Sequence, residues 1–206
     1  MTEEEQIRAE IEAEMRAKAK RQADDRLRKE AEELIKAADA GDLESQIKVA
    51  KNYKEGTRYF PQDLTKAFHY TQMAAEQGHI DSQNRLAHFY ADGLGVEKDQ
   101  TTAFEWFKRS AELGSINSML MLGDYYMNGC GTEVNIYLAT EWLTKAKQEG
   151  GVDTKLANAK NILKQQIQQY QEALLVLDQA TKHSYGSCLL GRELYIDYRL
   201  HSYIVD

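Results

Sequence analysis

Gly78-His-Ile-Asp-Ser-Gln-Asn-Arg-Leu86-Ala-His-Phe-Tyr90-Ala-Asp-Gly93, followed by Leu94-Gly95-Val96-Glu97-Lys98-Asp99, is the stretch that decides the fold. Ile80, Leu86, Ala87 and Tyr90 fall at helical spacing and give one apolar face. Gly93 stands where a helix ends on a left-handed residue. The stretch from Leu94 to Asp99 reads as a loop, with Asp99 an N-cap for the next helix. Ala103, Trp106, Phe107, Ser110 and Ala111 form the apolar face of that second helix, which Gly114 ends.

The unit recurs. Gly41, Gly78, Gly114 and Gly150 are spaced by 37, 36 and 36 residues, and Gly56, Gly93 and Gly129 each follow by 15. Asp63, Asp99 and Asn135 hold a third phase, 15 residues before the next glycine, so the extra residue of copy one lies between Gly56 and Asp63. Small residues align at Ser45, Ser82 and Ser118. Val49, Leu86 and Leu122 fill one core site, next to Ala50, Ala87 and Gly123. Tyr53, Tyr90 and Tyr126 recur as wedges, Ala67, Ala103 and Ala139 align in the second helices, and so do Tyr70, Trp106 and Trp142. A helix pair of this size leaves apolar surface that only a stacked neighbour can bury.

The pattern from Ser82 through Leu86-Ala87, Tyr90, Gly93, Gly95-Val96, Asp99, Ala103, Trp106 and Ser110-Ala111-Glu112 to Gly114 resembles a Sel-one-like repeat. Copy three has Thr132 in place of the loop valine, and copy one has Arg58 and Tyr59 where Gly and Val stand in the pattern. The resemblance covers roughly residues 38–150. It implies an all-α, right-handed α/α solenoid related to tetratricopeptide repeats. It further implies a protein–protein adaptor, or in bacteria an effector or an immunity protein.

The expected organisation is a charged N-terminal helix (1–39) and three repeats spanning 40–150 (41–77, 78–113 and 114–149). A capping helix (151–183) and a tyrosine-rich tail (184–206) follow. In the first segment Ile7, Ile11, Met15, Leu27, Ala31 and Leu34 lie near one stripe, and Leu27 to Ala38 is expected to pack on the first repeat. Upstream, pairs such as Glu12–Arg16 and Glu14–Lys18 suit a solvated helix; a self-associating coiled-coil arm is the alternative. In the capping segment Leu156, Leu163, Ile167, Tyr170, Leu174 and Leu177 make one amphipathic helix with a Gln- and Lys-rich outer face. The tail, with Tyr185, Tyr195, Tyr198 and Tyr203, fits a strand or a short helix.

The 206 residues are 42% hydrophobic, enough for a core, and contain a single proline, which favours helix. A net charge of −7 disfavours nucleic acid and points to a protein partner with a basic surface. No apolar run of 18 residues spans a membrane, and the acidic start lacks the apolar core of a signal peptide. Cys130 and Cys188 build no disulfide framework, so a reducing cytoplasm is the expected compartment. The glycine pairs Gly93/Gly95 and Gly129/Gly131 follow helices, lack the rest of a phosphate loop, and read as turns. His69, His79, His88, His183 and His201 make no metal-ligand spacing, and no cofactor site is expected. Neither Cys130 nor a set of His183, Tyr185 and Cys188 makes a case for catalysis, so no catalytic residue is assigned.

In helix-pair solenoids the first helix of each pair lines the inner surface, and its positions outside the core carry specificity. These are Ile47, Lys51 and Lys54 in copy one, Asn84, His88 and Ala91 in copy two, and Leu120, Asp124 and Met127 in copy three. The expected function is a non-enzymatic adaptor holding a protein partner there. The alternative is a cytoplasmic immunity protein that neutralises a toxin. Oligomeric state is not readable.

Overall fold

The computed structural model describes residues 3–151 and 154–182. They form eight helices: α1 (Glu3–Asp39), α2 (Leu43–Glu55), α3 (Leu64–Glu76), α4 (Ile80–Asp92), α5 (Gln100–Glu112), α6 (Ile116–Asn128), α7 (Ile136–Gln148) and α8 (Thr154–Lys182). The fold is the all-α architecture of helix-pair repeats, with α2–α3, α4–α5 and α6–α7 as the pairs and a further helix at each end. The tyrosine-rich tail of 184–206, with His183, Cys188 and His201, lies outside the described residues. No described helix is long and apolar enough to cross a membrane.

All six paired helices are 13 residues long, and their starts are fixed by side-chain caps. Asp63, Asp99 and Asn135 accept N–H bonds at the second helices. Asp42, His79 and Ser115 do so at the first helices, His79 through Nδ1. Hydrogen bonds from the Thr102 side chain and backbone hold the Asp99 carboxyl below its ordinary pKa; the Ser45 side chain and backbone do the same for Asp42. The loop inside each pair is closed by one repeated bond. The N–H of Asp63, Asp99 and Asn135 donates to the carbonyl of Tyr53, Tyr90 and Tyr126 at 2.9, 2.9 and 2.8 Å.

By packing, the chain divides into two compact units, Met1–Leu113 and Gly114–Asp206. In the first, Ala31 and Ala38 of α1 join Val49, Ala50, Tyr53, Phe60, Ala67, Tyr70 and Phe89 in one core, flanked by Leu34 and Ile35. The end of α1 therefore takes the place of the second helix of a preceding pair. A buried glutamine bond repeats at the same phase: Gln46 Nε2 donates to Ala38 O at 3.1 Å, and Gln83 Nε2 to Ala75 O at 3.3 Å. The turn bonds match as well, Gly41 N to Ala38 O and Gly78 N to Ala75 O, both 3.0 Å.

Packing of α1 starts at Ala31 rather than at Leu27, which is 46% exposed. Upstream the contact is polar. Asp24 accepts from the Tyr59 hydroxyl and pairs with Arg58 at 2.8 Å. The Asp24 bond raises the Tyr59 pKa. Arg58 and Tyr59 are the residues that replace Gly and Val in copy one, and here they bind α1. In copy two Gly95 instead lies directly on the start of α3, where an added Cβ would stand 2.3 Å from the carbonyl of Leu64. Leu64 follows Leu27 by 37 residues. At that point α1 continues as helix while α3 begins, so the loop of copy one meets a different surface. Residues 12–23 of α1 are exposed, with Arg16 paired to Glu12 at 3.4 Å.

In the second unit Leu143, Leu156 and Ala159 form a core between α7 and α8. Gly123 on α6 leaves room for α7: its Cβ would lie 2.5 Å from Leu143 Cγ. Among the described side chains of α8, Leu156, Ala159 and Leu163 are the buried ones. Ile167 and Leu174 are half-buried, Tyr170 is exposed, and the side chain of Leu177 lies outside the described residues. The capping face is therefore shorter than its sequence pattern, because the helices it leans on are 13 residues long and α8 has 29.

Candidate protein-binding strip

The nine strip residues fall on two units. In the first, α2 carries Ile47, Lys51 and Lys54, and α4 carries Asn84, His88 and Ala91. Lys51 and Lys54 are exposed, Ile47 and Asn84 half-buried, and Ala91 buried at 8% exposure. Ala91 serves the fold: its carbonyl accepts from Gln100 Nε2 at 2.8 Å. Lys51 pairs with Glu55 at 4.0 Å, an exposed contact of little energy. Lys54 reaches from α2 to α4, with Nζ 5.9 Å from the ring centroid of Phe89, so its stem lies on apolar surface while its charge stays in water.

His88 links the strip to the core. Its ring stands edge-on to the fully buried Phe107, centroids 4.9 Å apart. Burial pushes its pKa down; Asp92 opposes this and Lys54 adds to it. The folded chain thus favours neutral imidazole, and the unfolded chain takes up a proton first as pH falls below 6.5. Stability is fully present above that value and declines through the window down to the folded midpoint. An imidazole titration followed by NMR is expected to place the His88 midpoint below 6.5. A midpoint at or above it would refute this account of the packing.

In the second unit Leu120 and Met127 pack against the core of Leu143, Leu156 and Ala159. Asp124 accepts from Nζ of Lys155 on α8. These three positions are engaged by α8, the following first helix. Sequence reasoning missed that engagement, although apolar residues at two strip positions were a signal for a covering element.

Other readings of the sequence resolve locally. Leu94 N donates to Phe89 O at 3.0 Å and Cys130 N to Tyr125 O at 3.1 Å, so both glycine pairs belong to helix-ending turns. Cys130 is a half-buried free thiol. Among the described residues, no group of three His, Cys, Asp or Glu side chains is placed to hold a metal ion.

The family model for the Sel1 repeat matches three times, over residues 43–79, 80–115 and 116–151. A Sel1 repeat protein of Oxalobacter formigenes shares 35% identity at a TM-score of 0.55, over 61% of this chain and 96% of that one. The c5321 protein of uropathogenic Escherichia coli, a protective antigen displaying an SLR fold, is 24% identical at a TM-score of 0.45, over 59% of this chain and 33% of its own. The cysteine-rich protein B of Helicobacter pylori is 23% identical at a TM-score of 0.47, over 61% and 92%. No curated protein sequence matches the chain. Sel1 repeat proteins generally mediate protein–protein interaction and are typically non-catalytic. With three copies over more than half of its length, this chain belongs to the Sel1 repeat family.

Proposed function

We propose that the chain is a non-enzymatic adaptor that holds a protein partner on the α2–α4 strip of its first unit. One observation carries the reading. Lys51 and Lys54 are exposed, and Lys54 lies over Phe89 beside the half-buried His88. The strip therefore offers two lysine tips and the half-buried His88 over a packed aromatic layer, Phe89 and Phe107, that is itself buried. Charged tips beside a partly buried ring suit an interface. An acidic or aromatic side chain of the partner fits beside these lysines, while the net charge of −7 favours a partner whose surface as a whole is basic. The engagement of Leu120, Asp124 and Met127 by α8 leaves α2 and α4 as the lining available to a partner. We place this activity in the cytoplasm, because two cysteines without a framework suit a reducing compartment. The narrower reading, an inhibitor of a basic toxin, draws on the same charge and predicts tight binding that weakens steeply with salt.

The test is capture of the partner from the source cell by the full chain and by a Lys51→Glu/Lys54→Glu variant. Both substitutions fall on exposed side chains, so helicity is expected to be unchanged. Binding is expected to weaken on the order of 100-fold, from two lost contacts of about 1.4 kcal/mol each. Equal capture by the variant would rule out the strip.

A further inference from the structure

The second half of α8 exposes large apolar side chains. Its first turns are spent on the core through Leu156, Ala159 and Leu163. Beyond them Tyr170 is 66% exposed, Leu175 59% and Val176 65%, with Leu174 half-buried beside them. Successive helical residues are set about 100° apart, so Leu174, Leu175 and Val176 spread apolar surface around more than half of the helix. A helix apolar on several sides is one that other chain encloses, and a patch of this kind marks a contact site.

What could enclose it is next in the chain. Residues 183–206 lie outside the described residues and start one position past the end of α8 at Lys182. They carry Leu189, Leu190, Leu194, Ile196, Leu200 and Ile204. Their charges, Arg192, Arg199, Glu193, Asp197 and Asp206, are nearly balanced. So are those of the α8 end, with Lys164, Lys182, Glu172 and Asp178, and neither repels the other. The distance is short: Val176 lies about 10 Å from the end of the helix at 1.5 Å per residue, and a few extended residues at about 3.3 Å each cover it. A tethered segment meets its site at an effective concentration in the millimolar range, which a second copy of the chain does not reach in dilute solution.

We propose that the chain's own C-terminal segment, residues 184–206, docks on the apolar surface formed by Tyr170, Leu174, Leu175 and Val176 and completes the second unit. This goes beyond the partner strip and does not depend on it, because the strip lies on α2 and α4.

Hydrogen exchange on the full chain and on a chain ending at Lys182 tests the docking. Amides of residues 170–176 are expected to exchange at least tenfold more slowly in the full chain, with amides of α4 and α5 unchanged. Equal rates at 170–176 would overturn the proposal. Should the shortened chain fail to fold, thiol pairing in the full chain decides. With Cys130→Ser in place, Tyr170→Cys, Leu174→Cys, Leu175→Cys and Val176→Cys are each oxidised at micromolar concentration against the native Cys188. A disulfide within one chain at one or more of these positions is the expected result. Disulfides only between chains would assign the surface to a second copy, and no disulfide at any position would remove the tail from it; either overturns the proposal.

Discussion

Replacing Phe107 with alanine is expected to destabilise the first unit by about 4 kcal/mol, a large share of the roughly 5–15 kcal/mol that holds a domain folded. Among the described residues, Phe107 is the largest of the fully buried side chains. Its removal combines lost transfer free energy with a cavity that two rigid helices, α4 and α5, cannot close. The ring of His88 loses the edge-on contact at 4.9 Å as well, so the damage reaches the strip. Phe107→Leu keeps most of the volume, and its expected cost is about 1.5 kcal/mol. Urea unfolding followed by the fluorescence of Trp106, with Trp142→Phe as background, reads the first unit alone. A loss under about 1 kcal/mol for Phe107→Ala would show that the site collapses freely and is not a rigid floor beneath His88.

Gly95→Ala should cost about 3 kcal/mol for a different reason. Gly95 has φ +67°, a region that favours glycine, and a Cβ there would meet the carbonyl carbon and oxygen of Leu64, both at 2.3 Å. These atoms are backbone of the first turn of α3 and cannot rotate aside. The loop after α4 must therefore lift from the preceding pair. Gly78→Ala is the control, since it also has positive φ but nothing lies within 4 Å of its Cβ, and its expected cost is about 1 kcal/mol. Equal losses for the two would mean that backbone conformation, and not the close approach, accounts for Gly95.

The repeat was legible because identical packing duties recur at identical spacing. The glycines that end helices, the caps at Asp63, Asp99 and Asn135, and the Leu86 and Leu122 core site were all visible without coordinates. Phe89 and Tyr125 were not, though 3% and 5% exposed, because their counterpart in copy one is Asn52 and no constant residue marks the site. Tyr90 departs from its counterparts in depth. It aligns with the buried Tyr53 and Tyr126, yet it is only half-buried, edge-on to Phe68 at 5.3 Å. Gln46 and Gln83 carry no sequence signal of burial, yet both are buried and donate to the end of the preceding helix. Their role depends on a backbone carbonyl, which has no side-chain signature. The strip was legible as a set of positions but not as a set of open ones. Ile47, Ala91, Leu120 and Met127 suit a partner's surface and a packed neighbour equally well. Only the placement of α5 and α8 shows that Ala91, Leu120 and Met127 serve the fold.

Among the described helices, the end of α1 packs as the second half of a pair would, and α8 packs where the first half of a further pair would stand. Such an array lengthens without redesign of α1 or α8. Inserting a second Ile80–Ser115 segment directly after the first adds one full period, reuses the existing turn into α6, and leaves α1 and α8 beside the neighbours they already have. The number of copies can therefore change in steps of one, while the packing of α1 and α8 on their own neighbours stays constant.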